Sequence, residues 1–516
     1  MSLLAIDIGS SSCKAVAFSA SGTILAEHAA NYTPNFPRSG FAEINPDTFW
    51  DAVCISSRAV ARGLTENDLN DPVQAFCLSS HAETFVAVDS HGRPLTPAIL
   101  NQDARAIHES AECEQIIGRR RLFQITGHTP HPMYPLPKIL WLRKHEPGIF
   151  GSAASFVTLI GYLLQKMGQP AYTDYSLASR YMAFDIQKRS WSDEILAATE
   201  LDKANLPVAV PAGTITGKLS SEIAGQLALP PGTPVVLGGH DQPCNALGVG
   251  VIGGGRVSDS IGTYECLLAA SAAPTLNDKG FEASLNSYCH VVPDSFVTLA
   301  YFPSGIMVKW FHDLVYGDKS GEAPKDAHDD ESGHYSFLEA NAPAGPTGLC
   351  VTPHLIGTCN PEFNPRTRGL ISGLTASTGR GHIYKGILEG LACELALVGE
   401  ALAEAVGDFS DIYATGGGTR SPLGLKLRAA LTGRRLHIMK RQEAVCLGTA
   451  ILAGVAIGEY ASIHEAMSAV VEESSVFDPD QKLAAGYRHQ VQCYRQLRSA
   501  AVEHTETFFA TNEEEA

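Results

Sequence analysis

A group of small polar residues follows the first apolar stretch of the chain and could bind phosphate. The run LLAI at residues 3–6 leads into Asp7, Gly9, Ser10 and Ser11 before apolar residues resume. Glycine and serine leave backbone N–H groups and hydroxyls free to surround phosphate oxygens. Because Mg²⁺ prefers oxygen ligands and keeps several waters, Asp7 could hold a magnesium ion beside them. An ordinary polar turn is the alternative for this segment taken alone.

A second candidate site lies at residues 238–243, GGHDQP, directly after an apolar run that predicts a strand. Ligands of α/β sheets gather at the carboxyl ends of strands, so Asp241 stands where a reacting group is needed. Capping of a helix that begins near Pro243 would also explain this carboxylate. Capping does not require the two preceding glycines, which allow a ligand or another backbone to approach.

Three consecutive glycines at residues 416–418 separate a predicted strand, 411–415, from a predicted helix. Ser421 is placed to cap that helix. A turn between a strand and a helix needs one glycine more often than three. We therefore predict that the bare backbone of Gly416 and Gly417 forms a surface for a flat ligand.

Strands and helices alternate along the chain, which predicts an α/β architecture with buried sheets. Residues 3–18 predict a β-hairpin with a polar tip, and residues 258–270 repeat this pattern with Gly262 and Thr263 at the tip. Gly9 and Gly262 are 253 residues apart, close to half the chain. This spacing predicts a duplicated domain with one hairpin in each half, and chance similarity of two short segments is the alternative.

Three further segments have clear patterns. Residues 382–406 lack proline and carry apolar side chains at spacings of three and four, which predicts a long helix that ends at Gly407. Residues 444–458 are apolar but too short to span a bilayer, so we predict a buried helix. Residues 319–334 are polar and show no periodicity, which predicts a mobile surface insertion.

Two other motifs lead to no functional prediction. Residues 248–253 match G-x-G-x-x-G, but no acidic residue follows at about 20 positions in a βαβ context, so we reject a dinucleotide site. A Walker A loop is absent as well, which leaves the two hairpins as the candidates for binding phosphate. His128 and His131 have no third ligand at a defined spacing, and we interpret them as loop histidines.

The composition favours small metabolites as partners. Of the 516 residues, 45% are hydrophobic and 18% are charged, which is typical of a chain that buries a large core. The net charge of -17 disfavours nucleic acid and anionic membranes as partners. The 12 cysteines include no C-x-x-C pair, and the first residues lack the features of a signal peptide. We therefore expect buried thiols and a cytoplasmic location.

The ordered motifs resemble those of the FGGY family of carbohydrate kinases over nearly the whole chain. Residues 7–14, DIGSSSCK, are similar to the first phosphate motif of that family, and residues 260–263, SIGT, to the second. Residues 239–242, GHDQ, resemble its catalytic-aspartate segment, and residues 415–423, TGGGTRSPL, its adenosine segment. Residues 382–390, HIYKGILEG, resemble its long signature helix.

This resemblance implies an α/β fold of two actin-like (ribonuclease H-like) ATPase domains with a cleft between them. Residues 1–246 would carry the sugar site and the catalytic base, and residues 247–516 the nucleotide site. The reaction implied is phosphoryl transfer from ATP to a sugar hydroxyl, with Asp241 as general base and Mg²⁺ near Asp7. The residues implied to bind the nucleotide are Gly9, Ser10, Ser11, Lys14, Gly262, Thr263, Gly416, Gly417 and Ser421.

The substrate is less directly implied, because residues 79–84, SSHAET, match no single group of the family. Xylulokinases usually read QMHG there and glycerol kinases QRET, and Ala82 lacks the arginine of the latter. The side chains implied to contact or activate the sugar are His81, Glu83, Asp103, Tyr134, Asp241 and Gln242. We predict a ketopentose such as D-xylulose, with glycerol and gluconate as the alternatives.

Two other functional classes are consistent with an actin-like fold. Such domains also serve chaperones and filaments that hydrolyse ATP, and a silent sugar sensor would keep the same architecture. A kinase needs an acceptor-activating base and a sugar loop, which Asp241 and residues 79–105 supply. The expected partners are ATP and a small sugar, with no nucleic acid and no membrane. The oligomeric state is left open, with a homodimer as one alternative.

Overall fold

The computed structural model describes residues 2–66, 72–317 and 331–513. Each half of the chain builds one large mixed β-sheet that is covered by helices. Residues 319–330 of the predicted insertion lie outside the described residues, and the last four residues of that segment belong to a helix, Glu331–Ala340.

The first sheet confirms the N-terminal hairpin. Strands β1 and β2 pair antiparallel with Asp7 opposite Lys14, and β5 and β14 run parallel to β1. The six strands, in spatial order, are β13 (Ile215–Lys218), β14 (Pro234–His240), β5 (Val73–Ser80), β1 (Ser2–Ile8), β2 (Ser12–Ser19) and β3 (Ile24–Asn31).

Both faces of β1 are buried, because alternate side chains enter different hydrophobic cores. Leu4 and Ile6 join the core beneath helix Pro46–Glu66, whereas Leu3 and Ala5 join the core on the opposite face. A strand covered on both sides reads as a continuous apolar run, which explains the sequence before Asp7.

The second sheet confirms the second hairpin, because β15 and β16 pair antiparallel. Its seven strands, in spatial order, are β17 (Asn286–Cys289), β18 (Phe296–Pro303), β16 (Tyr264–Ser271), β15 (Arg256–Ile261), β21 (Asp411–Thr415), β22 (Arg435–Met439) and β23 (Glu473–Phe477). Apart from β17, both sheets consist of three antiparallel strands, two further strands parallel to the hairpin's first strand, and an antiparallel edge strand. This shared topology supports the predicted duplication.

The remaining strands form small sheets around the first half of the chain and beside the second. A four-stranded sheet contains β4 (Glu43–Ile44), β7 (Ala98–Ile99), β6 (Phe85–Val88) and β8 (Ser155–Thr158). The two-stranded sheets pair β9 (Tyr172–Asp174) with β12 (Val208–Val210), β10 (Phe184–Asp185) with β11 (Ser190–Trp191), and β19 (Cys350–Thr352) with β20 (Leu370–Ser372).

The predicted long helix is confirmed as α14 and the predicted buried helix as α16. In chain order, the described helices are α1 (Pro46–Glu66), α2 (Ile107–Ile117), α3 (Arg119–Thr126), α4 (Pro135–His145), α5 (Pro147–Ser152), α6 (Leu159–Lys166), α7 (Tyr175–Ser179), α8 (Asp193–Thr199), α9 (Ser221–Leu227), α10 (Asp241–Gly248), α11 (Asp278–Glu282), α12 (Gly305–Tyr316), α13 (Glu331–Ala340), α14 (Arg380–Val406), α15 (Pro422–Thr432), α16 (Ala444–Ala456), α17 (Ile463–Val470) and α18 (Gln481–Glu513). Among these described helices, none has the length and apolar character of a membrane-spanning segment.

Helices α10 and α16 cross in direct backbone contact. A Cβ atom on Gly248 would lie 1.9 Å from the carbonyl oxygen of Ala444, and one on Gly448 would lie 1.9 Å from that of Cys244. Only glycine allows such an approach. The crossing joins the two halves of the chain, and the boundary predicted between residues 246 and 247 would fall inside α10. That boundary stays a prediction.

The C-terminal helix α18 is fixed to α14 by two buried carboxylates. Tyr487 Oη donates to Glu389 Oε1 at 2.7 Å. Glu394 accepts hydrogen bonds from Tyr494 Oη at 2.5 Å and from Arg498 Nε at 3.2 Å. These contacts pack α18 against the helices that cover the second sheet.

Candidate active site

Two carboxylates, Asp7 and Asp241, lie near each other where three parallel strands end. Asp7 of β1 is opposite Ser79 of β5, whose hydroxyl donates to Asp7 Oδ1 at 3.3 Å. Gly239 of β14 pairs with Ser79 on its other side, and α10 begins two residues later at Asp241. The predicted metal ligand and the predicted base therefore share the carboxyl edge of the sheet, where α/β folds bind ligands.

Helix α10 begins earlier than the sequence indicated, and this difference decides the interpretation of Asp241. The helix was expected to begin near Pro243, but its first residue is Asp241 and its N-cap is His240, whose side chain makes no capping hydrogen bond. Capping therefore does not explain the Asp241 carboxylate. Its side chain is 21% exposed, and the helix N-terminus favours its negative charge.

The surroundings shift the pKa values of the two carboxyl groups in opposite directions. Burial raises the pKa of Asp7 to about 8, and the nearby charge of Asp241 adds to that effect. Burial also acts on Asp241, but the contact with His240 and the proximity of His81 outweigh it and lower the pKa of that carboxyl. Asp241 is thus the carboxylate that stays ionised, as a general base must be.

The two glycines before His240 are explained by protein packing. A Cβ atom on Gly238 would lie 2.3 Å from the carbonyl oxygen of Leu78. A Cβ atom on Gly239 would lie 2.7 Å from the side chain of Val291. The close approach expected from the sequence is therefore made by another strand and by the second half of the chain.

Both hairpin tips expose the residues that were predicted to bind phosphate. Gly9 N donates to Ser12 O at 2.9 Å, which closes the first tip and leaves Ser10 and Ser11 exposed. Gly262 and Thr263 are exposed at the second tip. Their backbone and hydroxyl groups are accessible to a ligand in the cleft.

Lys14 forms an ion pair that links the two halves of the chain. Its Nζ donates to Glu443 Oε2 at 2.7 Å, and the two side chains are 35% and 26% exposed. Burial alone would lower the pKa of Lys14, but the hydrogen bond and charge of Glu443 raise it. Glu443 was not among the predicted residues, although an acidic residue directly before a buried helix is a signal that could have been used.

A cavity of about 290 Å³ lies beside the second hairpin. Gly262, Gly417 and Ser421 line it, whereas Thr263 and Gly416 do not. Its other walls include Ile261, Ser304, Val308, Tyr335, Glu339, Tyr384, Leu388, Leu391, Arg420 and Arg428. Apolar walls with a few polar groups are typical of sites for flat organic ligands.

The three consecutive glycines have different roles. Gly416 has a φ of 93°, and a Cβ atom there would lie 2.6 Å from the Ile261 carbonyl oxygen. A Cβ atom on Gly418 would lie 2.2 Å from the Ile261 side chain. At Gly417 a Cβ atom would meet nothing within 4 Å. Two of the glycines are therefore required by packing, and the middle one is open to a ligand.

Buried charges lie behind this cavity. Arg428 donates from Nε and Nη2 to the two oxygens of Glu265 at 2.9 and 2.7 Å, and Ser304 Oγ donates to Glu265 at 2.7 Å. Asp259 is also buried, and neither of its carboxylate oxygens has a hydrogen-bond partner in the described part of the chain. Burial and the nearby Glu265 raise the pKa of Asp259 well above its usual range. Glu265 thus fixes the second hairpin to α15 through Arg428 and to the N-cap of α12 through Ser304.

The predicted sugar loop is held by internal contacts. The His81 ring places Nδ1 2.9 Å from the Ile8 carbonyl oxygen and Nε2 2.7 Å from Thr84 Oγ1. Glu83 adopts a φ of 62° and forms a buried ion pair with Arg180. Because a non-glycine residue rarely adopts this conformation, the surrounding contacts must maintain it.

The other three predicted sugar contacts differ in how far protein hydrogen bonds already occupy their polar atoms. Asp103 accepts hydrogen bonds at both oxygens, including 2.8 and 2.7 Å contacts from Arg105. Tyr134 Oη donates to Asn286 Oδ1 at 2.7 Å and lines a second cavity of about 230 Å³. Gln242 is partly exposed in the first turn of α10. All three, like His81 and Glu83, stay predictions as sugar contacts.

Several buried polar residues near this loop were missed from the sequence. Lys138 Nζ donates to the Leu100 carbonyl oxygen at 2.6 Å, and burial lowers its pKa to about 7. Arg180 pairs with Glu83, and His240 lies 3.0 Å from the carboxylate of Asp241. Lys138 and Arg180 could have been identified from the sequence, because each is a charged residue inside an apolar run.

Comparison with known proteins agrees with this arrangement. The model of the N-terminal domain of the FGGY family of carbohydrate kinases matches residues 2–248, and the model of its C-terminal domain matches residues 257–457. The gluconokinase of Bacillus subtilis is 28% identical over 489 residues, which cover 94% of this chain and 93% of that protein. The xylulose kinase of Escherichia coli is 28% identical over 500 residues, covering 96% and 98%. The crystal structure of the xylulose kinase of Lactobacillus acidophilus superposes with a TM-score of 0.87 at 22% identity, covering 98% and 99%.

The chain belongs to the FGGY family of carbohydrate kinases, because the two domain models together match most of its length. It is therefore a sugar kinase. This assignment is preferred over the two alternatives, a chaperone-like ATPase and a silent sugar sensor. The predicted fold of two actin-like ATPase domains is confirmed.

Proposed function

We propose that this kinase transfers the γ-phosphoryl group of ATP to a hydroxyl of a ketopentose such as D-xylulose. The observation that carries the proposal is the carboxylate of Asp241 at the start of α10, close to Asp7 at the sheet edge. Asp241 accepts the hydroxyl proton as the sugar oxygen bonds to the γ-phosphorus. The bond from that phosphorus to the β–γ bridging oxygen breaks, and ADP leaves with the electron pair.

The nucleotide would extend from the hairpin tips into the 290 Å³ cavity. Gly417 and Ser421 would face adenosine there, next to Gly416, whose positive φ suits glycine. Lys14 would release Glu443 and contact a phosphate oxygen, because a phosphate carries more charge than one carboxylate. The exposed glycine, serine and threonine of the two tips would donate to the remaining phosphate oxygens.

Asp7 is the residue that we propose for Mg²⁺. Burial and the nearby carboxylate of Asp241 raise the pKa of Asp7, and a bound divalent cation would stabilise its ionised form against both. Within the described residues, no cluster of three or more histidine, cysteine, aspartate or glutamate side chains could hold a metal. This is consistent with an ion that keeps water and phosphate ligands, and bound Mg²⁺ would offset charge on the transferring group.

A neutral sugar fits the charges of the sugar region better than a sugar acid. Glu83 pairs with Arg180 and Asp103 with Arg105, so neither buried arginine is free for a substrate carboxylate. Arg119 is the one arginine among the lining residues of the second cavity; it is 43% exposed and lies 3.6 Å from Glu114, which is itself exposed. Because the named relatives include a gluconokinase and a xylulose kinase at equal identity, gluconate is the second candidate.

A substrate panel distinguishes the two candidates. D-xylulose, D-ribulose, gluconate and glycerol should be assayed for ADP release with ATP and MgCl₂. We expect the highest kcat/KM with a ketopentose. A higher kcat/KM for gluconate would reject the neutral-sugar argument, and Arg119→Gln would then test whether Arg119 binds the substrate carboxylate.

The variant Asp241→Asn tests the assignment of the base. It removes the proton acceptor with little change in volume, so we expect kcat to fall by about 10² to 10⁴ while ATP affinity stays near that of the wild type. Calorimetry with ADP provides the control for binding. A variant that keeps more than half of the wild-type kcat, on a substrate limited by chemistry, would show that Asp241 is not the base.

We also propose a cytoplasmic location. All 12 cysteines are free thiols, most of them buried. A chain of this length without disulfides supports a reducing compartment.

A further inference from the structure

We propose that His240 is a positioning residue, which holds the Asp241 carboxylate in the orientation needed to accept the sugar proton. The inference rests on the proposed role of Asp241 as base. His240 is the last residue of β14 and the N-cap of α10, so the strand and the helix both fix its backbone. Its Nε2 lies 3.0 Å from Asp241 Oδ1. A carboxylate can only accept, so Nε2 carries the hydrogen in this contact.

Both halves of the chain contact His240, one through its backbone and the other through its ring. Its backbone N–H donates to Ser176 Oγ at 2.9 Å, and that hydroxyl donates to Asp174 Oδ2 at 2.6 Å. The ring packs against Tyr288 of the second half, with centroids 5.5 Å apart. Only 5% of His240 is exposed. The imidazole therefore has little freedom to leave Asp241.

The second ring nitrogen argues against a purely structural histidine. Within the described residues, buried His240 Nδ1 has no hydrogen-bond partner. An unpaired buried nitrogen destabilises the fold, and a phenylalanine of similar shape would avoid that penalty. In the described part of the chain, the one polar contact of the His240 ring is with the proposed base. Buried polar groups that lower the stability of the fold are typical of functional sites.

Positioning by His240 should act on the chemical step. With Oδ1 held by the imidazole, Oδ2 is left to receive the sugar hydroxyl. Two further titratable side chains near Asp241 are His81 of the sugar loop and Asp7 of β1. The Gln242 backbone N–H also donates to the Asp241 carboxylate, so loss of His240 would remove one of two protein contacts and leave the carboxylate less firmly oriented. Misplacement of a catalytic group by about 1 Å can cost about 10²-fold in rate.

The test compares His240→Phe with His240→Gln, using ATP, MgCl₂ and the sugar preferred in the panel above. For the phenylalanine variant we expect kcat to fall by about 10- to 100-fold, both KM values to stay within about twofold, and thermal stability to be unchanged or higher. The glutamine variant places an amide N–H near the position of Nε2 and should recover most of the kcat. Equal kcat in His240→Phe and the wild type, or no recovery in His240→Gln, would overturn the inference.

A double variant separates this inference from the assignment of the base. Because His240 acts through Asp241, adding His240→Phe to Asp241→Asn should cause no further loss of kcat. A further loss comparable to that of His240→Phe alone would overturn the positioning role. An inactive Asp241→Asn with a fully active His240→Phe would reject the positioning role alone, whereas an active Asp241→Asn would reject the proposed base.

Discussion

Replacement of Gly417 by valine tests whether the 290 Å³ cavity binds the nucleotide. A Cβ atom at Gly417 would meet nothing within 4 Å, and its φ lies outside the left-handed region. Its neighbours are different, because Gly416 and Gly418 both pack against Ile261 at distances that no Cβ atom tolerates. Valine is therefore compatible with the fold at the middle position only.

The expected loss of nucleotide affinity depends on where the added methyl groups of valine would lie. They would enter the cavity beside Ser421, where the proposed adenosine must fit. Overpacking of a well-fitted site costs about 1–3 kcal/mol, which corresponds to about 5- to 150-fold weaker binding of ATP and ADP. The fold itself should change by less than about 0.5 kcal/mol, because Gly417 is exposed and unstrained.

Isothermal calorimetry with ADP and ATP, together with the KM for ATP, measures the effect. Gly254→Val is the matched control, because its Cβ also meets nothing within 4 Å and Gly254 does not line the cavity. Gly418→Val is the opposite control and should lower the unfolding temperature. Nucleotide affinity within twofold of the wild type in folded Gly417→Val would refute the proposed adenosine site. An equal loss in Gly254→Val would assign the effect to something other than the cavity.

Two further predictions concern buried charges. Glu265→Gln leaves Arg428 buried without its ionised partner and should lower the free energy of unfolding by about 3–5 kcal/mol, whereas replacing both residues by methionine should recover much of this loss in urea denaturation. Full stability of Glu265→Gln would contradict the importance of the pair. Burial alone would raise the pKa of Glu394, but the contacts with His354 and Arg498 lower it to about 2 from its ordinary 4.5. Because the folded pKa is the lower one, Glu394 stabilises the fold above pH 4.5, and its contribution is lost as the pH falls toward 2. The urea midpoint should therefore fall more steeply with acid in the wild type than in Glu394→Gln, and parallel curves would contradict this.

Local patterns predicted the elements that position the site. The two hairpins, the strand before the glycines at 416–418 and the long helix ending at Val406 were all identified, because each has its own periodicity and turn residues. The assembly of these elements into two domains was predicted from the order of the motifs, which resembles that of the FGGY family. Asp7 and Asp241 reach one sheet edge because β1, β5 and β14 lie side by side, which no local pattern specifies.

The roles of individual residues could not be predicted where they depend on contacts with residues distant in the sequence. Gly416 and Gly418 are required because Ile261, more than 150 residues away, packs against them. His81 and Asp103 were selected as sugar contacts for their chemistry, yet in this structure their polar atoms have protein partners. His240 was noted only as part of a motif, because its contact with Tyr288 depends on the second half of the chain.

The crossing of α10 and α16 explains why the two halves must act together. Helix α10 begins with Asp241, and α16 begins directly after Glu443, the partner of Lys14. The charges of Asp241, Lys14 and Glu443 all act on Asp7, so both helix N-termini lie near the proposed phosphate site. Helix N-termini favour anions, and here each half supplies one. Because two glycines bring these backbones into contact, the crossing sets the distance between Asp241, the proposed base, and Glu443, the partner of Lys14. Gly248 and Gly448 therefore help to set the geometry of the proposed active site.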